Sequence, residues 1–166
     1  MILYIVRHSD AVPSGTPGIP EDGRPLTDKG IRKIREVARG LRTINVEPEL
    51  ILTSPLPRAR ETAAVLAEVL SGPVPVIVTE ALSPMCSRPE LYRELKAQRK
   101  LESLMIVGHQ PSLGEIAAEI AWGSAGNYIE LKKGGACALE LVKLDPVPSG
   151  TMLWLLTPAI MRQLGS

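Results

Sequence analysis

The run Met1-Ile-Leu-Tyr-Ile-Val6, followed at once by Arg7 and His8, decides the fold of this chain. Six apolar residues with β-branched members predict a short strand, the first of the fold. The sequence has two histidines, and the second, His109, ends the closely similar run Leu104-Met-Ile-Val-Gly-His109. Two histidines at the ends of two apolar strands indicate one site at one edge of one sheet.

The composition limits the classes of protein to consider. A length of 166 residues predicts a single domain spanning 1–166, with a real hydrophobic core. The net charge of +1 argues against a surface that coats a polyanion. Aromatic residues are scarce, with no Phe, two Trp and three Tyr, so few side chains could stack on bases. We therefore expect no nucleic-acid partner.

Nothing in the sequence indicates a membrane or an export pathway. No apolar run approaches the roughly 18 residues that cross a bilayer, and the start of the chain lacks the charged segment of a secretory signal. Cys86 and Cys137 are too few and too far apart for a disulfide framework or a zinc knuckle. We expect a cytoplasmic protein with reduced cysteines and no membrane partner.

Strand and helix patterns alternate along the chain. Strands are predicted at 50–53, 74–78 and 104–107, and helices from Thr27, from Ser54-Pro55, over 89–101, and from a capping-box spacing at Ser112 and Glu115. Residues 136–144 and 151–156 predict two more strands joined by a Pro/Gly-rich turn. The order predicts an α/β protein: a three-layer α/β/α sandwich around a mainly parallel sheet, with an antiparallel C-terminal addition.

Two surface features stand out around the first helix. Residues 9–26 form a long Pro/Gly-rich segment without apolar periodicity, which is typical of a functional lid or a mobile loop. The helix that follows carries cations on the face opposite its apolar stripe. We interpret this face as solvated, with a docking surface as the alternative; its residues are Lys29, Arg32, Lys33, Arg35, Arg39 and Arg42.

Polar side chains collect where the predicted strands end. Ligands of an open parallel sheet bind outside the carboxyl ends of its strands. Guanidinium forks match phosphate oxygens, and a neutral histidine can act as a covalent nucleophile. Helix N-termini after these strands would add backbone N–H donors. The pattern predicts a phosphate site with a candidate nucleophilic histidine, built from Arg7, His8, Arg58, Glu80 and His109.

One geometric condition applies to Arg7 and His8. Adjacent residues of a regular strand point to opposite faces of the sheet, so both side chains cannot face one pocket from within a strand. We therefore expect the first strand to end at or before Arg7.

Three stretches of the sequence resemble the signatures of the histidine phosphatase superfamily. They are Arg7-His8-Ser9-Asp10-Ala11, Thr53-Ser-Pro-Leu-Pro-Arg58-Ala-Arg-Glu-Thr62 and Val107-Gly-His-Gln-Pro111. The chain length and the order of the signatures are similar to those of its SixA-type phosphohistidine phosphatases. Ser9 and Gln110 depart from the pattern, since many members have Gly and Asn there.

The resemblance implies a metal-independent phosphatase without a cofactor. It implies that His8 attacks phosphorus and becomes transiently phosphorylated, while Arg7, Arg58 and His109 bind the phosphoryl oxygens. Such donors stabilise the charge of the transition state. It implies a phosphorylated histidine-containing protein as substrate, and a small chain leaves little room for a cap domain that would enclose a small molecule.

The general acid is the open assignment. Glu80, after the third strand, and Asp10, two residues past the nucleophile, are both candidates. SixA-type relatives work without a dedicated acid, because imidazole leaves a phosphoramidate more readily than an alkoxide leaves an ester. The alternative role for each carboxylate is an exposed rim residue or a local cap.

Several alternative interpretations remain at this stage. The function alternatives are a phosphatase for a small phosphate ester and a non-catalytic phosphate-binding or adaptor module. A zinc site of His8, His109 and Asp10 has suitable ligands, but two neighbouring arginines would oppose a bound cation. Arg60 lies on a different helical face from Arg58 and is expected in a surface salt bridge.

Overall fold

The computed structural model describes residues 1–70, 72–85, 87–123 and 128–166. Cys86 lies outside this range, so its expected thiol is not described. The strands are β1 Ile2–Arg7, β2 Leu50–Thr53, β3 Val76–Val78, β4 Ser103–Gly108, β5 Ala136–Lys143 and β6 Ser149–Leu156. The α-helices are α1 Asp28–Thr43, α2 Pro57–Val69, α3 Arg88–Ala97, α4 Ser112–Trp122 and α5 Pro158–Leu164, with 3-10 turns at Glu21–Gly23 and Glu80–Leu82.

The six strands form one mixed sheet in the order β3-β2-β4-β1-β5-β6. Strands β3, β2, β4 and β1 are parallel, while β5 and β6 add antiparallel partners beside β1. Arg7 is paired with Gly108, and Thr53 with Val107, so the carboxyl ends of β1, β2 and β4 lie side by side. This register brings the residues after these strands to one edge of the sheet.

Helices cover both faces of the sheet. On one face, Ile34 of α1, Leu66 of α2 and Met161 of α5 pack in the same buried cluster as Val6. On the other face, α3 and α4 contribute buried side chains to a second cluster around Leu3. The predicted three-layer α/β/α sandwich with an antiparallel C-terminal addition is confirmed. Within the described residues, no helix is long and apolar enough to span a membrane.

The first helix follows the sequence prediction closely. Thr27 is its N-cap, and its hydroxyl accepts a hydrogen bond from the Gly30 amide at 3.0 Å, which satisfies one of the free donors of the first turn. The predicted apolar stripe is buried at Ile34, Val37 and Leu41. Burial of this stripe against the sheet fixes the start of α1 beside the segment that follows β1.

One predicted helix start and one predicted cap are wrong, while α4 does begin at Ser112. Helix α2 begins at Pro57 rather than at Ser54-Pro55, with Leu56 in the N-cap position. The capping box at Ser112 and Glu115 does not form either: the Ser112 hydroxyl donates to the carbonyl of Pro84, and α4 has no side-chain cap. Pro57 occupies the first position of α2, where a proline suits the first helical turn because its missing N–H needs no partner.

Other element limits differ by a few residues, and one helix was not predicted. The third strand covers Val76–Val78 instead of 74–78, and α3 ends at Ala97 rather than at residue 101. Helix α5 packs against α1 so closely that a Cβ on Gly40 would lie 1.8 Å from the carbonyl oxygen of Met161. Its start has the sequence signals of a helix, a Thr157 cap and Pro158 at the first position.

Candidate functional site

Strand β1 ends at Arg7, as the geometric condition requires, and His8 lies just outside it. The Arg7 amide donates to the carbonyl of Gly135 at 3.1 Å, and the His8 amide donates to that of Gly108 at 3.0 Å. Hydrogen bonds to Gly135 on one side and Gly108 on the other therefore fix the backbone of Arg7 and His8. The charges of Arg7 and Arg58 both act on the His8 ring, which places the three side chains at one site.

The His8 ring is held in one tautomer. Its Nδ1 lies 2.7 Å from the carbonyl oxygen of Ser9, and because a carbonyl only accepts, Nδ1 carries the proton. This leaves the lone pair on Nε2. Burial, with the charges of Arg58 and Arg7, lowers the pKa of His8 to about 4. The ring is thus neutral at pH 7, the form a nucleophile needs.

The second imidazole faces the first. The ring centroids of His8 and His109 are 5.1 Å apart, with the planes tilted by 55°. Burial, followed by the neighbouring charges, lowers the pKa of His109 to about 3. Its Nε2 lies 2.8 Å from the hydroxyl oxygen of Ser54, while its buried Nδ1 has no hydrogen-bond partner among the described residues.

Ser54 is a site residue that the sequence analysis missed. It is fully buried, and its oxygen also accepts from the Leu56 amide at 3.3 Å. The hydroxyl proton is free to be donated to Nε2 of His109, and in that arrangement the ring proton is on the unpartnered Nδ1. Its position directly after β2 was the available signal, but the Ser-Pro pair was interpreted as a helix start.

Among the described residues, no carboxylate forms a hydrogen bond with either predicted arginine. Arg58 is 5% exposed, and its Nη1 donates to the backbone carbonyl of Glu21 at 3.1 Å. Nη1 of Arg7 donates to the carbonyl of Leu131 at 2.8 Å. The Nε atom of each is buried and without a partner in the described chain. Burial lowers the pKa of both groups, so an anion between them would be strongly favoured.

A further guanidinium comes from the segment between β1 and α1. Arg24 donates to the carbonyl of Val12 at 2.8 Å and pairs with Glu21 at 2.5 Å. Its charge lowers the pKa of both Arg58 and His109, so it lies near the site. The sequence analysis missed Arg24 because its segment has no periodicity to place it. An isolated β-bridge between Ala11 and Leu26 closes this segment.

The structure does not bring the two candidate acids to the histidines. The Asp10 carboxylate pairs with Lys33 at 3.1 Å. Glu80 is exposed, accepts from the Ser83 hydroxyl at 2.7 Å, and lines a groove with Glu90 and Arg93 of the α3 region. Neither carboxylate has a hydrogen bond to His8 or His109 in the described residues. Glu80 follows β3, and β2 separates that edge strand from β4.

The two departures from the family pattern have local structural roles. The buried Ser9 hydroxyl donates to the Gly30 carbonyl at 2.8 Å, and the Ser9 amide donates to Thr62 at 3.1 Å. Its φ is not positive, so the position does not require glycine. Gln110 accepts from the Gly114 amide and donates to the carbonyl of Ile129. Ser9 therefore ties the nucleophile segment to α1.

The remaining candidates lie outside this site. The described residues hold no group of three or more His, Cys, Asp or Glu side chains arranged for a metal, and Asp10 is engaged by Lys33. Arg60 is exposed and has no ion pair in the part of the chain described. Cys137 is a buried free thiol, and burial raises its pKa to about 12, as suits a small hydrophobic residue.

An α/β sheet with two neutral imidazoles and two guanidinium groups at its carboxyl edge is typical of an enzyme that transfers a phosphoryl group. The chain belongs to the histidine phosphatase superfamily (branch 1), whose family model matches residues 3–87. The matched range includes His8 and Arg58 and ends before His109.

Individual relatives extend over nearly the whole chain. An uncharacterized protein of Picosynechococcus sp. is 41% identical over 143 residues, covering 84% of this chain and 85% of its own. Phosphohistidine phosphatase SixA of Escherichia coli (strain K12) is 28% identical over 165 residues, covering 98% and 97%. The solved structure of the protein histidine phosphatase SixA complexed with tungstate has a TM-score of 0.84 at 26% identity, with 96% and 98% covered. Together these findings support a phosphatase.

Proposed function

We propose that this protein is a single-domain, metal-independent phosphatase that removes the phosphoryl group from protein phosphohistidine through a phosphohistidine intermediate on His8. The observation that carries the proposal is the tautomer of His8. The Ser9 carbonyl holds the proton on Nδ1 and leaves the Nε2 lone pair in a buried site beside two arginines.

The first chemical step is the attack of Nε2 of His8 on phosphorus. The new P–N bond to His8 forms as the P–N bond of the substrate breaks, and the substrate imidazole leaves with a proton taken from solvent. Hydrogen bonding of Nδ1 to the Ser9 carbonyl stabilises the positive charge that develops on the His8 ring. In the second step water attacks the phosphoryl group, which releases inorganic phosphate and restores His8.

Arg7, Arg58 and His109 are assigned to the phosphoryl oxygens. Three observations on the described part of the chain support this. The guanidinium groups donate no hydrogen bond to a carboxylate there, their Nε atoms are buried without a partner, and Nδ1 of His109 is also without one. Donors fixed before the reaction stabilise the equatorial charge of a phosphoryl transition state without reorganisation. No resident metal or cofactor enters this mechanism.

The positions of the acids favour a phosphoramidate over an ester. An alkoxide leaving group needs a proton donor in hydrogen-bond reach. Glu80 is exposed and bonded to Ser83, and Asp10 is paired with Lys33. We assign neither a role in proton transfer. Imidazole departs without such a donor, and the 28% identity to a phosphohistidine phosphatase agrees with this choice.

The test uses two substrates with the wild type and His8→Asn. We expect the wild type to dephosphorylate a phosphorylated histidine-containing domain in the presence of EDTA, and to form an acid-labile phosphoenzyme. His8→Asn should lose at least about a thousandfold in rate and form no phosphoenzyme. Turnover of p-nitrophenyl phosphate alone would identify a phosphatase of small esters. Binding of phosphate without turnover of either substrate would identify a phosphate-binding module.

A further inference from the structure

The turn at Gly134 connects Lys133 to the backbone around the nucleophile His8. The Gly134 amide donates to the carbonyl oxygens of both Arg7 and His8, each at 3.1 Å. The Gly135 amide donates to the carbonyl oxygen of Lys132 at 2.6 Å, which closes the turn. Gly134 has a φ of +77°, the left-handed region that favours glycine. The exposed Lys133 therefore projects from backbone that is bonded directly to the nucleophile segment.

The start of helix α1 lies against the same turn. A Cβ placed on Gly134 would lie 3.6 Å from Cε of Lys33 and 3.8 Å from the Ser9 hydroxyl. Lys33 pairs with Asp10, two residues past the nucleophile. The side chains of Lys33 and Lys133 thus approach the mouth of the site from two different elements.

Lys29 extends this basic surface along α1. It precedes Lys33 by four residues, so the two side chains share one face of the helix. Two other cations of α1 are engaged elsewhere: Arg35 pairs with Glu68, and Arg42 donates to the Val69 carbonyl. Arg32 and Arg39 are exposed on the same helix. Lys29 and Lys133 are exposed and form no ion pair in the part of the chain that the structure describes.

The acidic groups of these segments compensate Lys33 but not Lys133. Asp10 compensates Lys33, and Asp28 begins α1 beside Lys29. On the turn side, Glu130 pairs with Lys132 at 2.6 Å, which leaves Lys133 uncompensated. Besides burial, the charges of Arg58, Arg7 and Lys133 all lower the pKa of His8, so Lys133 adds to the positive charge of the two arginines at the site.

We propose that Lys29, Lys33 and Lys133 form a basic rim that docks an acidic protein surface beside the phosphohistidine of the substrate. The inference rests on the proposed function and names what the partner must carry: carboxylates flanking the phosphorylated histidine. Complementary charge of this kind speeds encounter and fixes orientation more than it adds affinity in the bound state. The lysines of the rim, and not the phosphoryl-binding residues, would then determine which phosphorylated protein is the substrate.

The test compares two rates for each variant. We measure kcat/KM on a phosphorylated histidine-containing domain of net negative charge, and on free phosphohistidine, at low and high salt. The double variant Lys29→Glu/Lys133→Glu should lower the ratio of protein to free-phosphohistidine kcat/KM at least about tenfold at low salt. The wild-type ratio should itself fall as salt rises, and the variant ratio should depend less on salt.

The double variant Lys100→Glu/Lys143→Glu is the matched control. Lys143 is exposed at the end of β5, which begins beside the site and runs away from it, and Lys100 is exposed shortly before β4 begins. This control reverses the same number of charges at the opposite end of the strands, so it should keep the wild-type ratio. If the wild type hydrolyses the phosphorylated domain and Lys29→Glu/Lys133→Glu keeps the same ratio, the rim is refuted and the proposed function stands. If the wild type hydrolyses only free phosphohistidine or an ester, the protein substrate and the rim are refuted together.

Discussion

The hydroxyl oxygen of Ser54 lies 2.8 Å from Nε2 of His109, so a residue at the end of β2 orients an imidazole at the end of β4. Donation to Nε2 leaves the Nδ1–H of His109 free for a phosphoryl oxygen. Ser54 is a positioning residue, because it acts through His109.

We expect Ser54→Ala to lower kcat about tenfold, because His109 would then populate both tautomers and lose its fixed orientation. The readouts are kcat on phosphohistidine and the ¹⁵N chemical shifts of the His109 ring, which report the tautomer directly. Ser103→Ala is the control, since it removes a hydroxyl that donates to the Glu47 carbonyl at the other end of β4. Unchanged ¹⁵N shifts in Ser54→Ala would contradict this role.

Because the chain has two histidines, the ring signals in an NMR titration can be assigned with a single histidine variant. We expect both rings to be neutral at pH 6, with His8 titrating near pH 4 and His109 near pH 3. A bound oxyanion such as tungstate should raise both pKa values, since it favours the protonated rings. A ring that titrates near 6.5 in the free protein would show that it is not buried as described.

Acidification should destabilise the protein through these two rings. Their pKa values lie below the unfolded value of about 6.5, so between pH 6.5 and 4 the unfolded chain takes up protons that the folded protein does not. The contribution is complete above about pH 6.5 and is lost as the pH falls, down to about 4 for His8 and about 3 for His109. The measurement is the free energy of unfolding in urea at pH 7 and at pH 4.5. Between these two pH values, His8→Asn/His109→Asn should lose at least about 2 kcal/mol less of this free energy than the wild type does.

The planar fork of Arg58 should matter more than its charge. Arg58→Lys keeps the charge but cannot contact the Glu21 carbonyl and two phosphoryl oxygens together, so we expect kcat to fall about a hundredfold. Arg60→Lys, two residues further along the same helix and exposed, is the matched control and should stay near the wild-type rate. Equal effects of the two substitutions on kcat would contradict the assignment of Arg58 to the phosphoryl oxygens.

The turn at Gly134 should couple stability to activity. Gly134→Ala forces a side chain into the left-handed region and should cost about 1 kcal/mol of folding free energy. Because the Gly134 amide binds the carbonyls of Arg7 and His8, kcat should also fall. Gly123→Ala carries a similar penalty at a φ of +70°, at the end of α4. The control should lower Tm by a similar amount and leave kcat unchanged.

The sequence predicted the parts of the site that follow from the ends of strands. Arg7, His8, Arg58 and His109 were placed together by the rule for parallel sheets, and the structure brings them to one edge. Glu80 was included by the same rule, but β3 is the edge strand, and the lateral order of strands is not written in a local pattern. Arg24 was not predicted as a site residue, because tertiary contacts decide the positions of residues in aperiodic loops. Ser54 was not predicted as one, because Ser-Pro is also a common helix start.

The long segment between β1 and α1 shows the same limit. Its length and composition indicated a lid or a mobile loop, and no local signal showed that Arg24 would bind the Val12 carbonyl across it. Helix α5 was not predicted, because seven residues carry too little periodicity, although its capping residues were present. Long-range contacts decided these elements.

Strand β1 is flanked by partners on both sides, β4 on one edge and β5 on the other. The backbone of Arg7 and His8 is therefore ordered by folding itself, and its conformational entropy is lost before any substrate arrives. Binding energy from the substrate is not consumed in assembling the nucleophile, so it remains available to lower the barrier to phosphoryl transfer. A sheet interior, rather than a closing loop, sets the precision of this site.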